Sequence, residues 1–307
     1  MMPLATREAY GLALAELVQE NDKVVVLDAD LSKSTKTIEV KKVCPQQHYE
    51  MGIAEGNMMS VAAGMAASNL IVYASSFAMF SAGRAYEQIR NSICYPKLNV
   101  KICATHAGIG VGEDGASHQC IEDLGLMRGI PEMKVFQPCD TAETKAIIKG
   151  IANIEGPCYV RLGRSAVEDV FDETYQFELG KGKVLRQGSK AAIVATGMMV
   201  QEALKAYEQM EEKPTVINIS TIKPIDTELL IQTAQTHDLI VVCEEHNIIN
   251  GLYSAICESL APYNLCKIVP VGVMDVFGES GKPKQLFEKY GLTSNNIVKK
   301  ISQEIKK

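Results

Sequence analysis

The chain has 307 residues, 47% hydrophobic and 22% charged, with a formal net charge of −6 and a pI near 5.5. That length predicts about two domains of roughly 150 residues each. Lys and Arg are scattered along an acidic chain, which argues against nucleic acid or an anionic membrane as partner but leaves room for a local phosphate pocket.

In chain order, Thr6–Gln19 reads as an amphipathic helix and Val24–Leu27 as a strand running into the acidic loop Asp28-Ala-Asp30. Ala54–Ala67 is a helix of small residues, Ile71–Ala74 a strand, Ala78–Ser92 a helix and Val100–Ala104 a strand. Ile121–Arg128, Lys134–Gln137, Ala142–Asn153 and Cys158–Arg161 continue the alternation. The stretch 165–189 is polar and broken by glycines, and reads as a linker. A second series follows: strands at Ala191–Ala195, Thr215–Ile219, Leu239–Cys243 and Lys267–Gly272, helices at Met199–Met210, Thr227–Gln235 and Ile249–Ala261, and a helical tail from Lys282. Strands alternating with helices predict an α/β protein of two domains, each a mostly parallel sheet covered by helices on both faces. The boundaries expected are 1–170, a linker over 171–187, and 188–307.

Residues 57–83 carry no charge, a length that could span a bilayer. Ser60, Gly64, Ser68, Asn69, Ser75, Ser76 and Ser81 interrupt it, so a buried helix followed by a buried strand is the expectation. The nine cysteines form no CxxC pair, and Cys103, Cys158 and Cys243 sit in apolar runs. This pattern predicts reduced thiols in a cytoplasmic protein rather than disulfides or a metal centre. The opening Met-Met-Pro-Leu-Ala-Thr-Arg-Glu has no apolar signal region.

Residues 105–119, Thr-His-Ala-Gly-Ile-Gly-Val-Gly-Glu-Asp-Gly-Ala-Ser-His-Gln, hold four glycines, two acids and two of the five histidines. Such a loop after a strand is where an open α/β sheet places its chemistry. His106 and His118 are expected to titrate near neutral pH and to move protons. Gly110–Gly115 matches GxGxxG literally, but Glu113 and Asp114 would repel a pyrophosphate and no helix is expected to start there, so a dinucleotide site is rejected. Glu55, opening the uncharged helix, is either an acid favoured by the helix dipole or a buried acid of raised pKa. Phe77 and Phe80, spaced i, i+3, are expected on one helix face, as core or as a slot for a flat ring. Arg7, Ser34 and Arg164 are candidate phosphate contacts.

Ala5-Thr-Arg7, Asp28-Ala-Asp-Leu-Ser-Lys-Ser34, Gly52-Ile-Ala-Glu55, Ser76-Phe-Ala-Met-Phe80, Thr105-His106, Gly112-Glu-Asp-Gly-Ala-Ser-His-Gln119 and Arg161-Leu-Gly-Arg164 together resemble the C-terminal half of transketolase in order and spacing. The likeness covers essentially the whole chain, and the Gly112–Gln119 run is its most specific part. It implies a pyrimidine-binding domain followed by a transketolase C-terminal domain. It also implies that Glu55 binds N1′ of the thiamine aminopyrimidine, that Phe77 and Phe80 hold that ring, and that Asp30 lies near the cofactor. By the same likeness His106 and His118 handle substrate hydroxyl protons, Asp114 bonds an acceptor hydroxyl, and Arg7, Ser34 and Arg164 grip a sugar phosphate.

Two departures are visible. Ala107-Gly108 stands where many family members have Asp-Ser, and Gly83 where many have a tyrosine. No Gly-Asp-Gly occurs in the chain, so the resemblance implies a separate N-terminal subunit binding the diphosphate and Mg²⁺ (or Ca²⁺), with no metal ligand on this chain. The expectation is thus a subunit of a split transketolase of the pentose phosphate pathway, a hetero-oligomer such as α2β2, acting on sugar phosphates and inactive alone. The alternatives are a subunit like 1-deoxyxylulose-5-phosphate synthase or the β subunit of a 2-oxoacid dehydrogenase, or a non-catalytic dimerisation scaffold.

Overall fold

A computed structural model describes residues 3–305; Met1, Met2, Lys306 and Lys307, with the start of the stretch inspected for a signal region, lie outside the described residues. The strands are β1 (Leu4–Ala5), β2 (Val24–Asp28), β3 (His48–Glu50), β4 (Ile71–Phe77), β5 (Val100–Thr105), β6 (Lys134–Phe136), β7 (Cys158–Arg161) and β8 (Ala166–Val167), then β9 (Lys183–Arg186), β10 (Ala191–Ala195), β11 (Thr215–Asn218), β12 (Thr221–Lys223), β13 (Leu239–Asn247) and β14 (Lys267–Val273).

Every residue of β2 and β5 is buried, as expected of parallel strands covered on both faces. They belong to a seven-stranded sheet in the order β12-β6-β7-β5-β4-β2-β3. All its pairings are parallel except β12 with β6. A second sheet runs β14-β13-β10-β11-β9, parallel apart from the edge strand β9. Helix Thr6–Glu20 packs against helix Thr141–Ile151 on one face of the first sheet, and helix Glu55–Ala67 covers β4 on the other. The fold is the expected pair of mostly parallel sheets flanked by helices.

Local expectations were modified in instructive ways. Ala78–Ser92 is not one α-helix: π-helical turns at Met79–Arg84 and Ile89–Cys94 flank a short α-helical piece at Tyr86–Gln88. Residues 171–187, read as a linker, contain β9, whose alternation of half-buried and exposed residues suits an edge strand. β12, far along the chain, is donated to the edge of the first sheet, so the two halves share backbone pairing as well as side-chain contacts. The tail is two helices, Pro283–Lys289 and Ser294–Ile305. Among the described residues no helix is long and apolar enough to cross a membrane. The nine cysteines are unbridged, six of them buried.

Candidate active site

The carboxyl ends of the parallel strands gather the candidates, as in other open α/β sheets. Phe77 is the last residue of β4 and His106 directly follows β5. Asp30 lies two residues beyond β2 and Arg164 three beyond β7.

Phe77 therefore does not share a helix face with Phe80, which sits in the first π-helical turn. The strand-to-helix corner brings the rings together all the same, stacked with centroids 5.9 Å apart and planes 17° from parallel. His118 meets both edge-on, at 5.4 Å from Phe80 and 6.3 Å from Phe77. Glu55 opens its helix and is only 2% exposed. Its Oε2 accepts from Arg84 Nη1 at 2.8 Å, and the Arg84 guanidinium lies 4.6 Å over the Phe80 ring. One flat cation thus touches an aromatic face and a buried carboxylate together.

His106 stacks on Phe77 with centroids 3.8 Å apart and is held at a positive φ of 56°. Its Nε2 lies 3.3 Å from Arg7 Nη1 and its Nδ1 2.9 Å from the Thr105 hydroxyl. A guanidinium can only donate, so Nε2 accepts and Nδ1 carries the proton. Burial, then the charges of Arg7, Arg164 and His118, push its pKa down to about 3. The expectation that His106 titrates near neutral pH is overturned: the imidazole is neutral because it is desolvated among cations.

Arg7 Nη1 also donates to the Ser34 carbonyl at 2.9 Å. It is the Ser34 backbone, rather than its hydroxyl, that joins the array. Arg164 donates to the Val111 carbonyl and, at 3.2 Å, to Glu113. Arg164 and Arg7 each act electrostatically on this corner of the site. Arg7, Ser34, His106, Phe77, Phe80 and His118 thus form one connected group, reaching Glu55 through Arg84. Asp30 and Asp114 are exposed at its margins; the Asp30 amide donates to Glu50 at 2.6 Å.

Sequence reading misses two participants, Arg84 and Glu245, and gives a third, Asp28, no role of its own. Arg84 follows the noted Gly83, but an arginine after a glycine carries no signal by itself. Asp28, at 0% exposure, shapes the Asp30–Ser34 loop by accepting from the Leu31 amide and the Thr35 and Thr37 hydroxyls. Burial pushes its pKa up to about 6 against those bonds. Glu245, at the end of β13, accepts from the Gly110 amide at 2.5 Å. An acid 135 residues away in sequence gives no local hint of that contact.

The chain belongs to the transketolase family. Residues 2–169 match the family model of the transketolase pyrimidine binding domain, and residues 180–297 that of the transketolase C-terminal domain. It is 48% identical to a Methanocaldococcus jannaschii protein provisionally named transketolase C-terminal section, covering 98% of this chain and 96% of that one. It is 38% identical to the 6-deoxy-6-sulfo-D-fructose transketolase subunit SqwH of a Clostridium species, over 95% of this chain and 92% of that one. Among solved structures, a split gene transketolase described as an inactive beta4 tetramer superposes with a TM-score of 0.90 at 52% identity, covering 98% of each chain.

Thiamine diphosphate is the cofactor expected of this family, and the residues present fit its pyrimidine ring. Phe77 and Phe80 supply an aromatic wall, and Glu55 a buried carboxylate that already pairs with a planar donor lying on Phe80. Ser76 Oγ and Ser81 Oγ in the same segment are buried with no hydrogen-bond partner among the described residues. Among the described residues no three His, Cys, Asp or Glu side chains cluster as metal ligands.

Proposed function

We propose that the chain is the C-terminal subunit of a thiamine-diphosphate-dependent transketolase, moving a two-carbon ketol unit from a ketose phosphate to an aldose phosphate. The observation that carries this reading is the continuous array Glu55–Arg84–Phe80–His118 and Phe77–His106–Arg7. It joins a buried carboxylate, an aromatic wall, two imidazoles and two guanidiniums at the carboxyl ends of the central strands.

When bound, the cofactor supplies the electron sink for breaking and making the carbon–carbon bond. Glu55, a buried carboxylate at the start of its helix, would hold the ring nitrogen N1′. Phe77 and Phe80 would orient the ring, and Asp30 would lie toward the cofactor. His106, neutral with its Nε2 accepting from Arg7, is too weak a base to carry a proton at neutral pH and serves by orienting one substrate hydroxyl, while His118 handles the hydroxyl proton across the same aromatic edge. Asp114 bonds an acceptor hydroxyl. Arg7 and Arg164, with Ser34, hold the substrate phosphate.

The diphosphate and Mg²⁺ (or Ca²⁺) belong, in this reading, to a separate N-terminal subunit. Two things support that: no Gly-Asp-Gly occurs in the sequence, and relatives that share nearly their whole length with this chain carry the words section or subunit in their names. An α2β2 assembly in the cytoplasm, serving the pentose phosphate pathway, completes the proposal. The domain division at 1–170, 171–187 and 188–307 is kept within it, with β9 of the middle segment joining the second sheet and β12 crossing to the first.

The test is ketol transfer by the complex reconstituted with its N-terminal subunit, using wild type and Glu55→Ala. Loss of at least about a hundredfold in turnover is expected for Glu55→Ala. Unchanged turnover would point to a scaffold, and use of pyruvate as donor to a deoxyxylulose-phosphate-synthase-like subunit.

A further inference from the structure

The loop that carries His106 and Asp114 is held from two sides, and one side is the C-terminal domain. Glu245 leaves the end of β13 and points its carboxylate into the turn Gly108–Gly110. The Gly110 amide donates to Glu245 Oε1 at 2.5 Å. A Cβ on Gly108 would lie 2.5 Å from the Glu245 carboxyl carbon, and one on Gly110 3.1 Å from Oε1. Gly108 also has a φ of +80°, so a side chain is excluded there by conformation and by the carboxylate together.

The Glu245 backbone is itself fixed. Arg161 Nη2 donates to the Glu245 carbonyl at 3.0 Å and to the Cys120 carbonyl at 3.2 Å, while its Nε bonds both oxygens of buried Asp123. The Cys120 carbonyl in turn accepts from the Gly108 amide at 2.8 Å, which closes the circuit onto the loop. Burial drives the Glu245 pKa up to about 7, with Arg161 opposing the rise. A buried acid of this kind is costly, and a core position with only a packing role is ordinarily apolar.

We propose that Glu245, from the C-terminal domain, is a positioning residue for the reaction. Its side-chain oxygen holds Gly108–Gly110 in the backbone shape that sets His106 at one end of the loop and the Val111–Asp114 turn at the other. This rests on the reading of that loop as the substrate side of a transketolase site. It gives the C-terminal domain a part in the chemistry without a residue that touches substrate.

The test compares Glu245→Gln, Glu245→Asp and Glu245→Ala. Gln keeps the reach and an acceptor oxygen; Asp keeps the charge but withdraws the acceptor by one methylene. In the full chain alone, hydrogen–deuterium exchange of a peptide spanning residues 106–112 is expected to quicken about tenfold in Asp and Ala, and to stay near wild type in Gln. Glu244→Ala, which removes the neighbouring acid facing another helix, is the control that leaves this peptide unchanged.

In the reconstituted complex, kcat is expected to fall about tenfold in Asp and Ala, with affinity for thiamine diphosphate unchanged and activity rescued by Gln. If Ala fails to fold, the Gln–Asp contrast carries the test. Wild-type exchange in Asp, or equal losses in Gln and Asp, would overturn the proposal. A wild-type complex without ketol transfer would instead sink the functional reading, while the exchange result still decides whether Glu245 holds the loop.

Discussion

Arg7 fixes His106 as a hydrogen-bond acceptor: its guanidinium lies 3.3 Å from Nε2, on a ring already stacked against Phe77 at 3.8 Å. The imidazole is desolvated and faces cations, and its pKa falls to about 3. An NMR pH titration should show no protonation of His106 above pH 5, whereas Arg7→Met should move its midpoint upward. The sign for stability follows. The unfolded chain takes up the proton near pH 6.5 and the folded one does not, so this group destabilises the native state as pH falls from about 6.5 toward 3. His106→Asn should flatten that part of the acid-unfolding curve.

Arg84 neutralises Glu55 in an ion pair that is buried on one side only, with Glu55 2% and Arg84 52% exposed. Removing the arginine strands the carboxylate. Arg84→Ala should cost about 1–2 kcal/mol, less than a fully buried pair because solvent screens the exposed half. Adding Glu55→Gln should recover much of that loss, as a denaturant double-mutant cycle would reveal.

Glu244, also buried, caps helix Leu252–Leu260 by accepting from the Leu252 and Tyr253 amides at 2.7 and 2.9 Å. Burial nevertheless raises its pKa to about 7. Between roughly pH 4.5 and 7 the folded state keeps a proton that the unfolded state has released. Its stabilising contribution is therefore present below that window and lost as pH rises through it, by about 1–3 kcal/mol. Urea unfolding at pH 5 and pH 8 should show a smaller loss across that interval for Glu244→Gln than for wild type.

Gly108 stands where many family members carry a serine, and the structure gives a local reason for glycine here: a φ of +80° and a carboxylate against its α-carbon. Gly108→Ala should destabilise by about 2 kcal/mol or more. Thermal unfolding should show part of that loss relieved when Glu245→Ala is added, because the conformational strain remains while the clash goes.

Much of the fold was legible because parallel strands buried on both faces read as apolar runs, as at Val24–Leu27 and Val100–Ala104. Of the strands that escaped notice, β1, β3, β8 and β12 are two or three residues long and β9 is a four-residue edge strand, all set by their partners rather than by their own pattern. The π-helical turns after Phe77 were invisible because an interrupted helix has nearly the same apolar spacing as a regular one. In the site, the motif residues stood out by type and spacing. Arg84 and Glu245 did not, because each gains its meaning from a contact with a distant partner, Glu55 and Gly110. Asp28 stood inside the Asp28–Ser34 motif, but its part in shaping the loop depends on the Thr35 and Thr37 hydroxyls folding back onto it. The protonation state of His106 was misjudged for the same reason, since a histidine read alone carries no record of the arginines around it.

In the proposed function this chain supplies the pyrimidine and substrate side of a transketolase site completed by another subunit. The most direct measurement is ketol transfer between sugar phosphates, with thiamine diphosphate and Mg²⁺, by the pure chain and by the chain mixed with an N-terminal transketolase subunit carrying Gly-Asp-Gly. Turnover is expected only in the mixture, abolished there by Glu55→Ala. Robust turnover by the pure chain, or full turnover by the Glu55→Ala mixture, would contradict the proposed function.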